Sequence, residues 1–138
     1  MAVGQFRIVE ETLFFMIGII IVSIVIYSFN TIEADLKNVS MEDQLRGVAE
    51  EVEDGIVKVV GFDNAYLKVE IPKKICERFY VVKLSGDNLI VYDYENPRMN
   101  VTEKIFGLGY MKSSDGYVYS TAGYIVINSS SNKITIGR

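Results

Sequence analysis

Histidine is missing from this sequence of 138 residues, which also contains only one cysteine and two prolines. Histidine is the most common general base and a frequent metal ligand, so its absence argues against catalysis and against a metal centre. Cys76 has no second cysteine to form a disulfide with, and we expect it to be a small buried core residue. We therefore predict that the protein is not an enzyme and uses no cofactor and no small-molecule substrate.

Positive charge is also scarce, because 14 Lys and Arg side chains face 18 Asp and Glu side chains and give a net charge of −4. Without a basic patch to neutralise phosphates, nucleic acid is excluded as a partner. The sequence has no P-loop, no G-x-G-x-x-G and no G-x-S-x-G motif. The glycine pair in Phe106-Gly107-Leu108-Gly109-Tyr110 precedes no helix start, so we predict a turn or bulge there.

The segment from Thr12 to Ile32 contains no charged residue. A helix of about 21 residues spans roughly 31 Å, close to the ~30 Å hydrocarbon layer of a bilayer. We predict that 12–32 is a transmembrane or filament-core helix; an unusually apolar helix in a soluble core is the alternative. The preceding segment, 1–11, has no recognisable secretory cleavage site, so we expect it to be retained, with the N-terminus inside the cell.

Three Asn-x-Ser/Thr sequons agree with an extracellular C-terminal part and predict possible N-glycosylation at Asn38, Asn100 and Asn128. At the border of the apolar segment lie Glu10 and Glu11. Two interpretations remain open for these acids. In the first, both acids stay in the headgroup layer, where they stabilise the helix N-terminus through the helix dipole. In the second, one acid pairs with Arg7 or with a neighbouring subunit's amine and fixes helix register.

Beyond Ile32, apolar residues recur mostly at steps of three and four among acidic ones, which predicts an amphipathic helix over 33–61. Ser40 to Asp43 resembles a capping box, so we expect a kink or restart near Asn38 to Ser40. Gly61 suits the end of the helix.

The segment 62–138 alternates apolar and polar residues between turn signals, which predicts six or seven short strands. The turns are expected at Ser85 to Asn88, Asn96-Pro97, Ser113 to Gly116 and Ser129 to Asn132. The fold class that follows is α+β, with the long helix packed against a C-terminal antiparallel β-sheet or small β-sandwich. Eight of the nine tyrosines fall in this region; we favour half-burial in the sheet over a recognition surface as their reason.

Four features of the chain occur together: the short leader with Gly4-Gln5, the acid before an apolar run, the long two-part helix and the β domain. These features together resemble archaeal type IV pilin-like proteins. Among these, pilins, archaellum subunits and pilin-like accessory proteins look most similar. The resemblance implies leader cleavage after Gly4, so that Gln5 begins the mature chain. It also implies that Glu10 or Glu11 neutralises a neighbour and that the exposed helix packs into a filament core.

The function expected from these features is that of a structural subunit of a cell-surface filament, with helices in the core and β domains in the shell. Its partners are copies of itself or other pilin-like subunits, and membrane lipid before assembly. A membrane-anchored accessory or binding module, whose β domain contacts an envelope layer, a glycan or a motor partner, is the alternative. The residues expected to pack helices together are Phe14, Phe15, Gly18, Ile19, Ile20, Ser23, Ile24 and Val25.

Overall fold

The structure is a computed structural model that describes residues 2–105 and 113–138, with side chains described for 6–105 and 115–138. The predicted turn at Gly107 and Gly109 lies outside the described residues. One long helix is followed by seven strands, which confirms the predicted α+β fold. These elements are α1 (Ala2–Val60), β1 (Ala65–Glu70), β2 (Tyr80–Ser85), β3 (Asn88–Asp93), β4 (Asn100–Lys104), β5 (Ser113–Tyr119), β6 (Tyr124–Ser130) and β7 (Lys133–Gly137).

Two compact units divide the chain, Met1–Asn38 and Val39–Arg138. The boundary falls within α1, inside the segment 33–61 that the sequence assigns to an amphipathic continuation. The helix is uninterrupted here, so the predicted restart at Asn38 to Ser40 does not occur. Ser40 does not cap a new helix; its hydroxyl accepts a hydrogen bond from Gln44 Nε2 one turn later, at 3.2 Å.

The second unit consists of the last part of α1 packed on one seven-stranded sheet. The strand order is β1-β6-β7-β5-β2-β3-β4, and all neighbours are antiparallel except β5 and β7, which are parallel. The sheet is therefore a single mixed sheet and differs in this one pairing from the predicted antiparallel sheet. A stripe of α1 residues at helical spacing is buried against one face of this sheet: Met41, Leu45, Val48, Ala49, Val52, Ile56 and Val59. The sheet contributes the other half of the core through alternate residues of its strands, as half-buried strands require.

Gly55 lies on the buried side of α1, against the sheet. A Cβ atom at this position would stand 2.8 Å from Val69 Cγ2 and 2.9 Å from Ile127 Cδ1. Glycine is unfavourable inside a helix, so its presence here is explained by packing against β1 and β6. Gly47 lies two turns earlier and would meet nothing within 4 Å.

The turn predicted at Ser113 to Gly116 is wrong, because these residues begin β5. Gly116 pairs with Leu84 of β2 on one side and with Ile136 of β7 on the other. Its φ of 146° is unfavourable for other residues, and a Cβ would stand 2.2 Å from the Ile136 carbonyl oxygen. A Ser-Ser-Asp-Gly sequence is typical of turns, but here the glycine allows a close backbone contact between two strands.

Cys76 is exposed, which contradicts the prediction of a buried core residue. It occupies a tight turn in which Cys76 and Glu77 have φ of 47° and 66°. Backbone hydrogen bonds of 2.9 and 3.0 Å between Ile75 and Arg78 close this turn. The turn directs Ile75 into the core and leaves the thiol at the surface, 3.8 Å from the Ser40 hydroxyl.

Candidate membrane-contact and assembly surfaces

The first candidate surface is the apolar part of α1 in the first unit. Every large apolar residue between Thr12 and Ile32 is exposed, from 43% for Ile17 to 75% for Tyr27. The helix is long and apolar enough to cross a membrane, and none of its most apolar window is buried within the chain. A helix that is apolar on all sides is stable only in lipid or among other apolar helices.

The serine and threonine hydroxyls inside this apolar surface are satisfied within the helix. All four serine and threonine hydroxyls between residues 12 and 32 donate to the backbone carbonyl four residues earlier, at 2.8 to 3.0 Å. Hydroxyls that are paired in this way do not need water, so they are tolerated in hydrocarbon. The sequence alone gives Thr12, Ser23, Ser28 and Thr31 as polar interruptions and does not show that they are paired.

A shallow groove runs along one face of this helix. It is lined by Phe14, Phe15, Gly18, Ile19, Val22 and Ser23. Five of these are among the residues predicted to pack helices, and Val22 is an addition. Ile20, Ile24 and Val25 are exposed but do not line the groove. A Cβ on Gly18 would meet nothing within 4 Å, so a neighbouring helix can approach closely here.

Arg7, Glu10 and Glu11 are exposed on the helix before this groove. Among the described residues none of the four ion pairs includes them, although three of the four join residues one helical turn apart. No partner within the described chain therefore neutralises Glu10 or Glu11. At Gly4 and Gln5 the structure gives a helical backbone, and their side chains lie outside the described residues.

The second candidate surface is the sheet face that α1 does not cover, which we call the open face. Tyr94 and Tyr119 pack edge to face with ring centroids 6.0 Å apart, and Tyr117 packs on Tyr119 at 5.7 Å. Val81 is only 2% exposed although it points away from the core, because Tyr119 and Tyr92 flank it in the sheet register. Tyr92 and Tyr124 are half-buried, as expected for tyrosines of the sheet. Tyr94, Tyr117 and Tyr119 are exposed.

Two buried polar groups lie on the other side of the sheet, where β2 begins and β3 ends. Asp93 is fully buried and accepts hydrogen bonds from Arg78 Nη1 and from the backbone nitrogen of Glu95, each at 3.0 Å. This ion pair raises the pKa of Arg78. Tyr80 is fully buried, and its hydroxyl donates to the Pro72 carbonyl. Both groups hold loops in place through these hydrogen bonds.

The three sequon asparagines are all exposed. Asn100 differs from the others because its Nδ2 already donates to the Pro97 and Arg98 carbonyls at 3.1 and 3.3 Å. A glycan on Asn100 requires this side chain to leave the turn before β4. Within residues 2–105 and 113–138 no three Cys, Asp or Glu side chains converge as ligands for a metal ion.

Comparisons of the chain with protein-family models, with curated proteins and with solved structures found no match.

Proposed function

We propose that this protein is a pilin-like subunit of a cell-surface filament, held in the membrane by the apolar part of α1 until it assembles. The observation that carries the proposal is the contrast within α1: the stripe after Met41 is covered by the chain's own sheet, whereas the segment from Thr12 to Ile32 is bare on every side. Lipid covers this segment before assembly. Helices of neighbouring subunits cover it afterwards.

The groove at Phe14, Gly18 and Val22 supports helix packing in such a core, because it offers a concave apolar face without a polar group that needs water. The unpaired carboxylates of Glu10 and Glu11 support a role in register. In a lipid or helix environment a carboxylate requires a partner, and in the assembled filament the partner is a positive group of a neighbouring chain, Arg7 or a terminal amine.

The experiment that tests this function compares the double variant Glu10→Gln and Glu11→Gln with the wild-type chain, both expressed in a host that has a machinery for assembling pilin-like subunits. We expect the variant to stay in the membrane fraction with a folded β unit and to form no filaments in electron micrographs. The matched control is Glu77→Gln with Glu95→Gln, which removes two exposed acids from loops of the β unit. Normal filaments from the Glu10 and Glu11 variant reject the register role, and absence of wild-type filaments rejects the function.

A second candidate, a membrane-anchored binding module, is favoured by the exposed rings of Tyr94, Tyr117 and Tyr119 on the open face. Exposed tyrosines are common in surfaces that bind proteins and sugars. The core lies entirely within Val39–Arg138, so this unit is suitable for a binding assay by itself. Retention on isolated envelope material, lost on Tyr117→Ala with Tyr119→Ala, supports this alternative over the filament.

A further inference from the structure

The two sides of the second unit carry opposite charge. On the outer side of α1, away from the sheet, two exposed acids have no ion-pair partner among the described residues: Asp43 and Glu50. The open face of the sheet carries four exposed lysines that are also without ion pairs there: Lys68, Lys83, Lys104 and Lys133. Two acids, Glu70 and Asp115, share the open face with these lysines.

The outer side of α1 has a definite pattern. Asp43, Glu50 and Val57 follow one another at intervals of seven residues, which places them in one line on the helix. Successive members are about 10 Å apart at the usual rise. Val57 is 55% exposed although it is apolar. The line therefore presents two carboxylates and then an apolar side chain.

A matching line crosses the open face diagonally. Lys104 on β4 lies in the row of Asn88 and Ser85, Lys83 on β2 lies one row further along, and Tyr119 on β5 lies in the next row. Strand spacing and residue rise place Lys104 and Lys83 roughly 12 Å apart, and Lys83 and Tyr119 roughly 8 Å apart. This line presents two ammonium groups and then an aromatic ring, at spacings close to those on the helix.

We propose that the outer side of α1 in one copy docks on the open face of the next copy, with Asp43 at Lys104, Glu50 at Lys83 and Val57 on Tyr119. The two surfaces lie on opposite sides of one unit and differ from each other, so the contact is heterologous. A heterologous contact propagates from copy to copy, and it builds an open helical array when the rotation between copies does not close into a ring. The inference rests on the proposed filament function and specifies which surfaces meet in its outer shell.

The test uses charge reversal in the full-length chain. The helix variant is Asp43→Lys with Glu50→Lys, and the sheet variant is Lys83→Glu with Lys104→Glu. Each alone places like charges at the contact, so we expect the critical concentration for filament formation to rise by on the order of tenfold or more. In an equal mixture the two variants can alternate, so that every contact between unlike copies joins opposite charges, and we expect assembly to return to the wild-type concentration range.

Matched controls reverse the same number of charges elsewhere. Glu77→Lys with Glu95→Lys and Lys73→Glu with Lys74→Glu lie in loops outside both lines and are expected to assemble like wild type. Circular dichroism checks folding. If a reversal variant does not fold, the neutral pairs Asp43→Asn with Glu50→Gln and Lys83→Gln with Lys104→Gln replace it, with a smaller expected rise.

The outcomes separate the two claims. Wild-type filaments together with unaffected reversal variants overturn the contact and leave the filament function standing. A mixture that fails to assemble, although each variant is folded, also overturns the contact. A wild-type chain that forms no filaments at all overturns the proposed function, and the contact falls with it.

Discussion

Tyr80 shows how one buried hydroxyl links the loop before β2 to the stability of the second unit. Its ring is fully buried, and its hydroxyl donates to the Pro72 carbonyl. Burial raises the pKa of this hydroxyl above the ordinary value, and the nearby carboxylate of Glu51 raises it further. The folded state therefore binds the Tyr80 proton more tightly than the unfolded state does.

This linkage predicts alkaline destabilisation. The stabilisation from the raised pKa is fully present below the unfolded value of 10.0 and is lost as the pH rises above it. We expect the free energy of unfolding to fall above pH ~10. Tyr80→Phe should remove the part of this decrease that comes from ionisation of Tyr80. At neutral pH the same variant costs about 1 kcal/mol, because the Pro72 carbonyl loses its donor. Denaturant titrations between neutral and alkaline pH measure both effects. The control is Tyr66→Phe, since the Tyr66 side chain on β1 is exposed.

The two helix glycines near the core predict opposite responses to alanine. Gly47 is open on all sides, so Gly47→Ala gains helix propensity and is expected to stabilise the second unit by up to about 1 kcal/mol. Gly55→Ala gains the same propensity but pushes its Cβ into Val69 and Ile127, so we expect no gain or a net loss. Thermal unfolding of both variants side by side decides this. Equal stabilisation by the two changes contradicts the close helix-sheet contact at Gly55.

The two parts of α1 present different apolar surfaces. After Met41 its apolar stripe is buried against the sheet, and from Phe6 to Leu36 its large apolar residues are all exposed among the described residues. We expect Ile56→Ala to destabilise the second unit by about 2 to 5 kcal/mol, the usual cost of a cavity in a core. Ile20→Ala removes the same number of atoms from the uncovered segment. Its effect on unfolding of the second unit is expected to stay within about 0.5 kcal/mol.

Local sequence signals identified several elements correctly. The alternation and the Gly86 turn predict the β2–β3 hairpin, and the helix ends at Val60 just before Gly61 as expected. The last hairpin turns at Ser131 and Asn132, whose φ values are 48° and 67°, within the longer loop that the sequence predicts. The first four residues of β5 were missed because Ser-Ser-Asp-Gly has the composition of a turn, and only their pairing with β2 and β7 makes them part of the strand.

At the level of the whole chain, the proposed function predicts that the two units differ in solubility. We expect the full-length chain to require detergent or lipid for solubility, because the segment from Thr12 to Ile32 exposes apolar side chains on every face. The unit Val39–Arg138 by itself is expected to remain soluble and monomeric at moderate concentration. Ultracentrifugation with and without detergent measures this. Aggregation of the truncated unit to the same extent as the full chain contradicts the assignment of the apolar surface to the first unit.

The sequence by itself determined the uncharged segment from Thr12 to Ile32, the helical period after it and the local hairpins, because these depend on neighbours a few residues apart. Tertiary structure decided the pairing of β1 with β6, the parallel pairing of β5 with β7, and the exposure of Cys76. It also brought Lys104, Lys83 and Tyr119 into one line that crosses four neighbouring strands. Strand order depends on which distant surfaces bury together best, and that choice is made by the whole core.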